Sequence, residues 1–104
     1  MTDQPLTVGH GVIAQMARFA AFEVPGVQNV GRAGPPWRRL ILGPAVSARV
    51  REGRVSVRVA IVARPGQALA PLADQVRAAV GASVERLLGL ELEGVTVLVD
   101  GVGG

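Results

Sequence analysis

At 104 residues, with 49% hydrophobic side chains and a mean hydropathy of +0.38, the chain is long enough to bury one core, too short for two, and too apolar for a disordered segment. With no cysteine and a single histidine, His10, it excludes a disulfide framework, thiolate chemistry and most zinc sites. The net charge of +3 comes from eleven arginines and no lysine against eight acids, and such one-sided usage is not by itself a nucleic-acid signature.

The N-terminus, Met1-Thr2-Asp3-Gln4-Pro5, lacks the basic and apolar regions of a signal peptide, and no run approaches the ~20 apolar residues of a membrane span. The expected address is the cytoplasm. Leu6-Thr7-Val8 is read as a short edge strand. From Val8 to Val24 the residues Val12, Ile13, Met16, Ala17, Phe19, Ala20 and Val24 recur at steps of three and four, the stripe of an amphipathic helix that Pro25-Gly26 stops. Residues 28–45 hold Gly31, Gly34, Pro35, Pro36, Gly43 and Pro44, a density of breakers that predicts one long loop.

Between Val46 and Ala63 alternation is strict, interrupted at Glu52-Gly53, and predicts a hairpin of two antiparallel strands. After Pro65-Gly66, a second helix runs from about Ala70 to Leu88, with Leu72, Val76, Val80 and Val84 on one stripe. Pro71 suits its first turn and Gly89 its C-terminal cap. Leu90 to Val99 reads as a last strand whose phase slips at Glu93-Gly94, predicting a bulge, and the tail 101–104 is expected to fray. The sum is a single α+β domain over 1–104. Two helices pack on one face of a three- to four-stranded, mainly antiparallel sheet, in the order β-α-β-β-α-β.

A two-residue turn at Glu52-Gly53 pairs Arg51 with Arg54, Arg49 with Ser56 and Ser47 with Arg58, all on the face opposite Val50, Val55, Val57 and Val59. Arg49, Arg51, Arg54 and Arg58 thus share one open face. It is either a patch for phosphates, anionic lipid head groups or an acidic partner, or a solvated surface balanced by Glu52, Glu91 or Glu93. The loop segment Trp37-Arg38-Arg39-Leu40, continued by Ile41-Leu42, combines the only tryptophan with arginines and large aliphatics. It is either a contact site or a cover for the edge of the core.

No catalytic constellation is present. His10 has no second histidine or cysteine to work with, Asp74, Glu85, Glu91 and Glu93 form no evident acid–base pair, and no glycine-rich phosphate cradle or cofactor motif occurs. An RNA-binding module using the arginine face is the alternative reading, weakened because the chain has no tyrosine and both phenylalanines fall in the first helix.

The segment Val12-Ile13-x-x-Met16-Ala17-x-x-Ala20-x-x-Glu23-Val24-Pro25-Gly26-Val27 resembles the alkaline shock proteins of the bacterial envelope stress response, whose first helix closes on Glu-Val-Pro-Gly-Val. The valine-rich hairpin, the Pro-initiated helix ending at Gly89-Leu90 and the strand Val95-Thr96-Val97-Leu98-Val99 agree in order, so the likeness covers most of the chain. Gly9-His10-Gly11 and the Trp37 loop depart from that pattern. The resemblance implies a non-enzymatic protein without cofactors, with a role in cell-envelope homeostasis. It further implies association with the inner face of the cell membrane through a membrane-anchored protein partner, and self-association. It transfers no catalytic residue.

Overall fold

The structure, a computed structural model, describes residues 10–89 and 91–103. Helix α1 (His10–Phe22) is followed by strand β1 (Val27–Val30), a short helix α2 (Trp37–Leu42), strands β2 (Val46–Arg51) and β3 (Arg54–Ala63), helix α3 (Leu69–Leu88) and strand β4 (Glu91–Val102). The strand expected at Leu6–Val8 lies outside the described residues, as does Leu90. The α+β class holds, with α1 and α3 packed on one face of a mixed sheet.

β3 is the central strand. β2 pairs with it antiparallel across the Glu52-Gly53 turn, in the register the alternation predicts, from Val46 opposite Val59 to Arg51 opposite Arg54. Glu52 and Gly53 both adopt positive φ (52° and 77°), the backbone that a two-residue hairpin turn of primed type requires. β4 lies on the other side of β3 and runs parallel to it, as the α3 crossover dictates.

The single long loop expected over 28–45 is corrected. Val27–Val30 forms β1, antiparallel to the last residues of β3, so that β1 and β2 lie end to end along the same edge of that strand. Between them, Gly31 N–H donates to Ala60 O (3.0 Å) and Ala60 N–H donates to Ala45 O (2.7 Å), so one residue of β3 holds both ends of the excursion 31–45. Four residues are too few to show alternation, and α2 is too short to show a helical period, so both vanish among the prolines and glycines.

The core is built from branched aliphatics and alanines: Ile13, Ala17 and Ala21 of α1, Val57 and Ile61 of β3, and Val76, Val80 and Val84 of α3 are all buried. Alanines let α1 approach closely, and this narrows its buried stripe. Val12 and Phe19, expected in that stripe, are 52% and 62% exposed, on the opposite side of the helix together with Phe22. α3 stops at Gly89, whose left-handed backbone (φ 64°) lets its N–H donate to Glu85 O.

β4 carries two bulges. Leu92 faces Val55 and Gly94 faces Ser56, leaving Glu93 as the extra residue at the predicted slip; Val99 faces Ile61 and Gly101 faces Val62, leaving Asp100 as a second one. The frayed tail expected over 101–104 is also corrected for 101–103, residue 104 lying outside the described residues. Gly101 and Val102 continue the ladder and Gly103 N–H donates to Ala63 O (2.8 Å), because the second bulge restores pairing beyond Val99.

Each helix sends an arginine to an edge strand. Arg18 donates to Val30 O (3.1 Å), and Arg77, held by Asp74 at 2.6 Å, donates to Val95 O (3.2 Å). An edge carbonyl so occupied is a poor template for another chain, and bulges reinforce that protection. Arg77→Ala is expected to promote concentration-dependent association through β4, measurable by analytical ultracentrifugation. Unchanged sedimentation at all concentrations would show that the cap has no protective role.

Candidate interaction surface

The strict alternation of β3 divides its side chains between two faces. Val55, Val57, Val59 and Ile61 turn to the helices, while Arg54, Ser56, Arg58 and Ala60 turn to the outer face. Through the hairpin register, Arg49 and Arg51 join them there. The structure therefore brings Arg49, Arg51, Arg54 and Arg58 together as the sequence predicts.

Their neutralisation is partial. Arg54 approaches Glu91 at 3.8 Å with both side chains exposed, and the bulged Glu93 accepts a hydrogen bond from Ser56 Oγ at 2.7 Å. Glu52, the third acid expected to balance the face, pairs with no arginine there; among the described residues Arg49, Arg51 and Arg58 make no ion pair within 4 Å. Like charges so placed on adjacent strands cost stability.

The two ends of the outer face differ. At one end, the excursion 31–45 folds over it and buries Ala60. What holds the excursion down is Asp100, whose bulge aims its carboxylate across the sheet. Oδ2 accepts hydrogen bonds from Ala33 N–H (2.7 Å) and Arg38 (3.1 Å), and Oδ1 lies 3.7 Å from Arg32. Arg38 also donates to Ala33 O, and Arg32 to Leu42 O (3.2 Å), so the two arginines tie both flanks of α2 to one carboxylate. Burial alone would raise the Asp100 pKa, but the Ala33 hydrogen bond and the charges of Arg38 and Arg32 outweigh it and hold the carboxyl below its ordinary 3.8. Gly101 completes the seat: a Cβ there would sit 2.7 Å from Ala33 Cβ.

Tied in this way, α2 displays its other side. Trp37, Leu40 and Ile41, at positions i, i+3 and i+4, are 57%, 86% and 72% exposed. The segment does not cover the core edge. Arg38, a candidate contact residue by sequence, is instead turned inward as a strut, and the side chain of Arg39 lies outside the described residues. Asp100, Arg32 and Ala33 were not singled out by sequence, although a lone acid in the apolar run Val97-Leu98-Val99-Asp100 was the signal available. Phe19, expected in the core stripe of α1 because its spacing mimics that stripe, is a surface residue; Phe22, not assigned to the stripe, is exposed beside it.

Among the described residues no three His, Cys, Asp or Glu side chains gather as metal ligands, and no helix is long and apolar enough to cross a membrane. The described residues thus form a small α+β module with two exposed apolar sets and an arginine face. The chain itself belongs to the alkaline shock protein 23 family, a family of cell envelope-related function, whose model matches residues 2–103. No curated protein matches the chain in sequence. Among solved structures it is similar to the MamM CTD. A zinc form of one variant is 20% identical over 88% of this chain and 84% of that one, with a TM-score of 0.56. A second variant is 20% identical over 88% and 95%, with a TM-score of 0.57. At that identity the likeness establishes the shared fold.

Proposed function

We propose that this protein is a non-enzymatic adaptor of the cell envelope that acts at the inner face of the membrane by docking through protein contacts with a membrane-anchored partner. The observation that carries this reading is the presence of two exposed apolar sets on opposite sides of the fold. Val12, Phe19 and Phe22 line the outward side of α1, and Trp37, Leu40 and Ile41 project from α2 beyond the other face of the sheet. Large apolar side chains held on rigid elements in water favour being covered, and two such sets suit a bridging role. The family's envelope-related function supplies the setting.

Photo-cross-linking tests the reading. A photoreactive residue at Phe19 or Phe22 is expected to yield a discrete adduct with one integral membrane protein in membranes of the source cell, and Phe19→Glu is expected to abolish the adduct formed from position 22. A diffuse smear, or no adduct from either position, would contradict the adaptor reading.

A further inference from the structure

The outer face is one continuous surface. A shallow cavity lined by Leu42, Ser47, Arg58, Thr96 and Leu98 lies against the excursion, and a second, lined by Arg49, Arg51, Ser56 and Glu93, shares Ser47, Arg58 and Thr96 with it. Moving along this face from the hairpin toward α2, the surface therefore passes from arginines, through half-exposed Leu98 and Leu42, to the exposed apolar side of α2. We propose that this face binds the surface of an anionic phospholipid bilayer directly, with Arg49, Arg51 and Arg58 over the head groups and Trp37, Leu40 and Ile41 inserted at the membrane–water boundary. The inference goes beyond the adaptor reading, which requires protein contacts only, and it leaves the α1 side free for the protein partner.

Charge complementarity selects this occupant. Arg49, Arg51 and Arg58 make no ion pair within 4 Å among the described residues, and two of the acids on this face are engaged elsewhere, Glu91 with Arg54 and Glu93 with Ser56. Basic side chains in this number, beside an apolar helix bearing tryptophan, match the combined electrostatic and interfacial requirements of a peripheral membrane contact. A nucleic acid would use the arginines but not Leu40 or Ile41, and strands β2, β3 and β4 carry no aromatic side chain to serve as a platform for base stacking. The wedge is also preorganised, because Asp100 holds α2 in place before any membrane is met, so little ordering remains to oppose binding.

Trp37 is the only tryptophan in the chain, so its emission reports on the wedge without labelling. With the full chain and vesicles of phosphatidylcholine containing about a third phosphatidylglycerol, the emission is expected to shift to the blue and become protected from acrylamide, and to revert as salt is raised. Vesicles of phosphatidylcholine alone are expected to give little shift. Each arginine near an anionic surface strengthens partitioning by about fivefold, so replacing Arg49, Arg51 and Arg58 with glutamine should weaken it by roughly a hundredfold. Leu40→Ser with Ile41→Ser should abolish the blue shift without changing the melting temperature, since both side chains are exposed in the folded chain. An unshifted spectrum on anionic vesicles would overturn the inference, as would equal binding by the arginine variant. So would tight, arginine-dependent retention on polyuridine without vesicle binding, which would move nucleic acid to the front. Binding to native membranes but not to protein-free vesicles would overturn it too, while leaving the adaptor reading in place.

Discussion

Asp100→Ala is expected to lower the unfolding free energy by about 2 to 3 kcal/mol and the melting temperature by roughly 10 to 20 °C. The size follows from what the carboxylate serves. Its side chain is 7% exposed, accepts hydrogen bonds from Ala33 N–H and Arg38, and pairs by charge with Arg32; removing it leaves Arg32, itself 13% exposed, as an uncompensated charge against the sheet. Arg38 is 30% exposed and partly solvated, which keeps the loss below the full cost of breaking a wholly buried pair. The excursion should come loose before the core does, so trypsin is expected to cut at Arg38 and Arg39 faster in the variant under conditions where the helices remain intact. Because the carboxyl pKa is held below 3.8 in the folded chain, its contribution is fully present above the ordinary carboxylate range and is lost as pH falls through the lowered folded value. The stability gap between the wild type and Asp100→Asn should therefore close in strong acid and persist at neutral pH. A variant that melts with the wild type and resists trypsin equally would show that the excursion is held by something else.

Gly26→Ala is expected to cost about 1 to 3 kcal/mol although it adds one methyl group, because the turn after α1 runs against the start of α3. A Cβ at position 26 would lie 2.6 Å from Leu72 Cδ1 and from Gln67 Oε1. Gln67 is exposed and can swing aside, whereas Leu72 is 2% exposed and cannot. Gly26 also accepts a hydrogen bond from Arg64 N–H (2.9 Å), so the turn cannot drift away without losing it. Denaturation midpoints of Gly26→Ala, Leu72→Ala and the double variant should show a coupling of at least ~0.5 kcal/mol, with the smaller side chain at 72 relieving the clash. Additive losses would place the strain elsewhere. Pro-Gly in this motif thus answers to packing as well as to helix termination.

The elements that could be read from sequence are those whose period repeats. β2 and β3 alternate over enough residues to give their register to the residue, and Glu52-Gly53 defines the turn, so the arginine face follows from the sequence alone. α3 was equally plain from its stripe and its terminal Gly89. What did not show was decided by contacts distant in sequence. β1 is four residues whose only instruction to be a strand comes from β3, and α2 is held by a carboxylate more than sixty residues away. Phe19 looked like core because hydrophobic spacing does not say which alanines let the helix sink toward its neighbours. The candidate surface was thus half legible: its charges follow from strand alternation, while its apolar wedge depends on the Asp100 bulge.

The claim that the outer face, with α2 fixed upon it, contacts the bilayer is tested most directly by co-sedimentation with protein-free vesicles of phosphatidylcholine containing about a third phosphatidylglycerol, comparing the wild type with Leu40→Asp, Ile41→Asp at matched thermal stability. The wild type should pellet and the double variant should stay in the supernatant, since both side chains are free in the folded chain and only a docked surface would require them. Equal pelleting of the two, or pelleting of neither, would contradict the account.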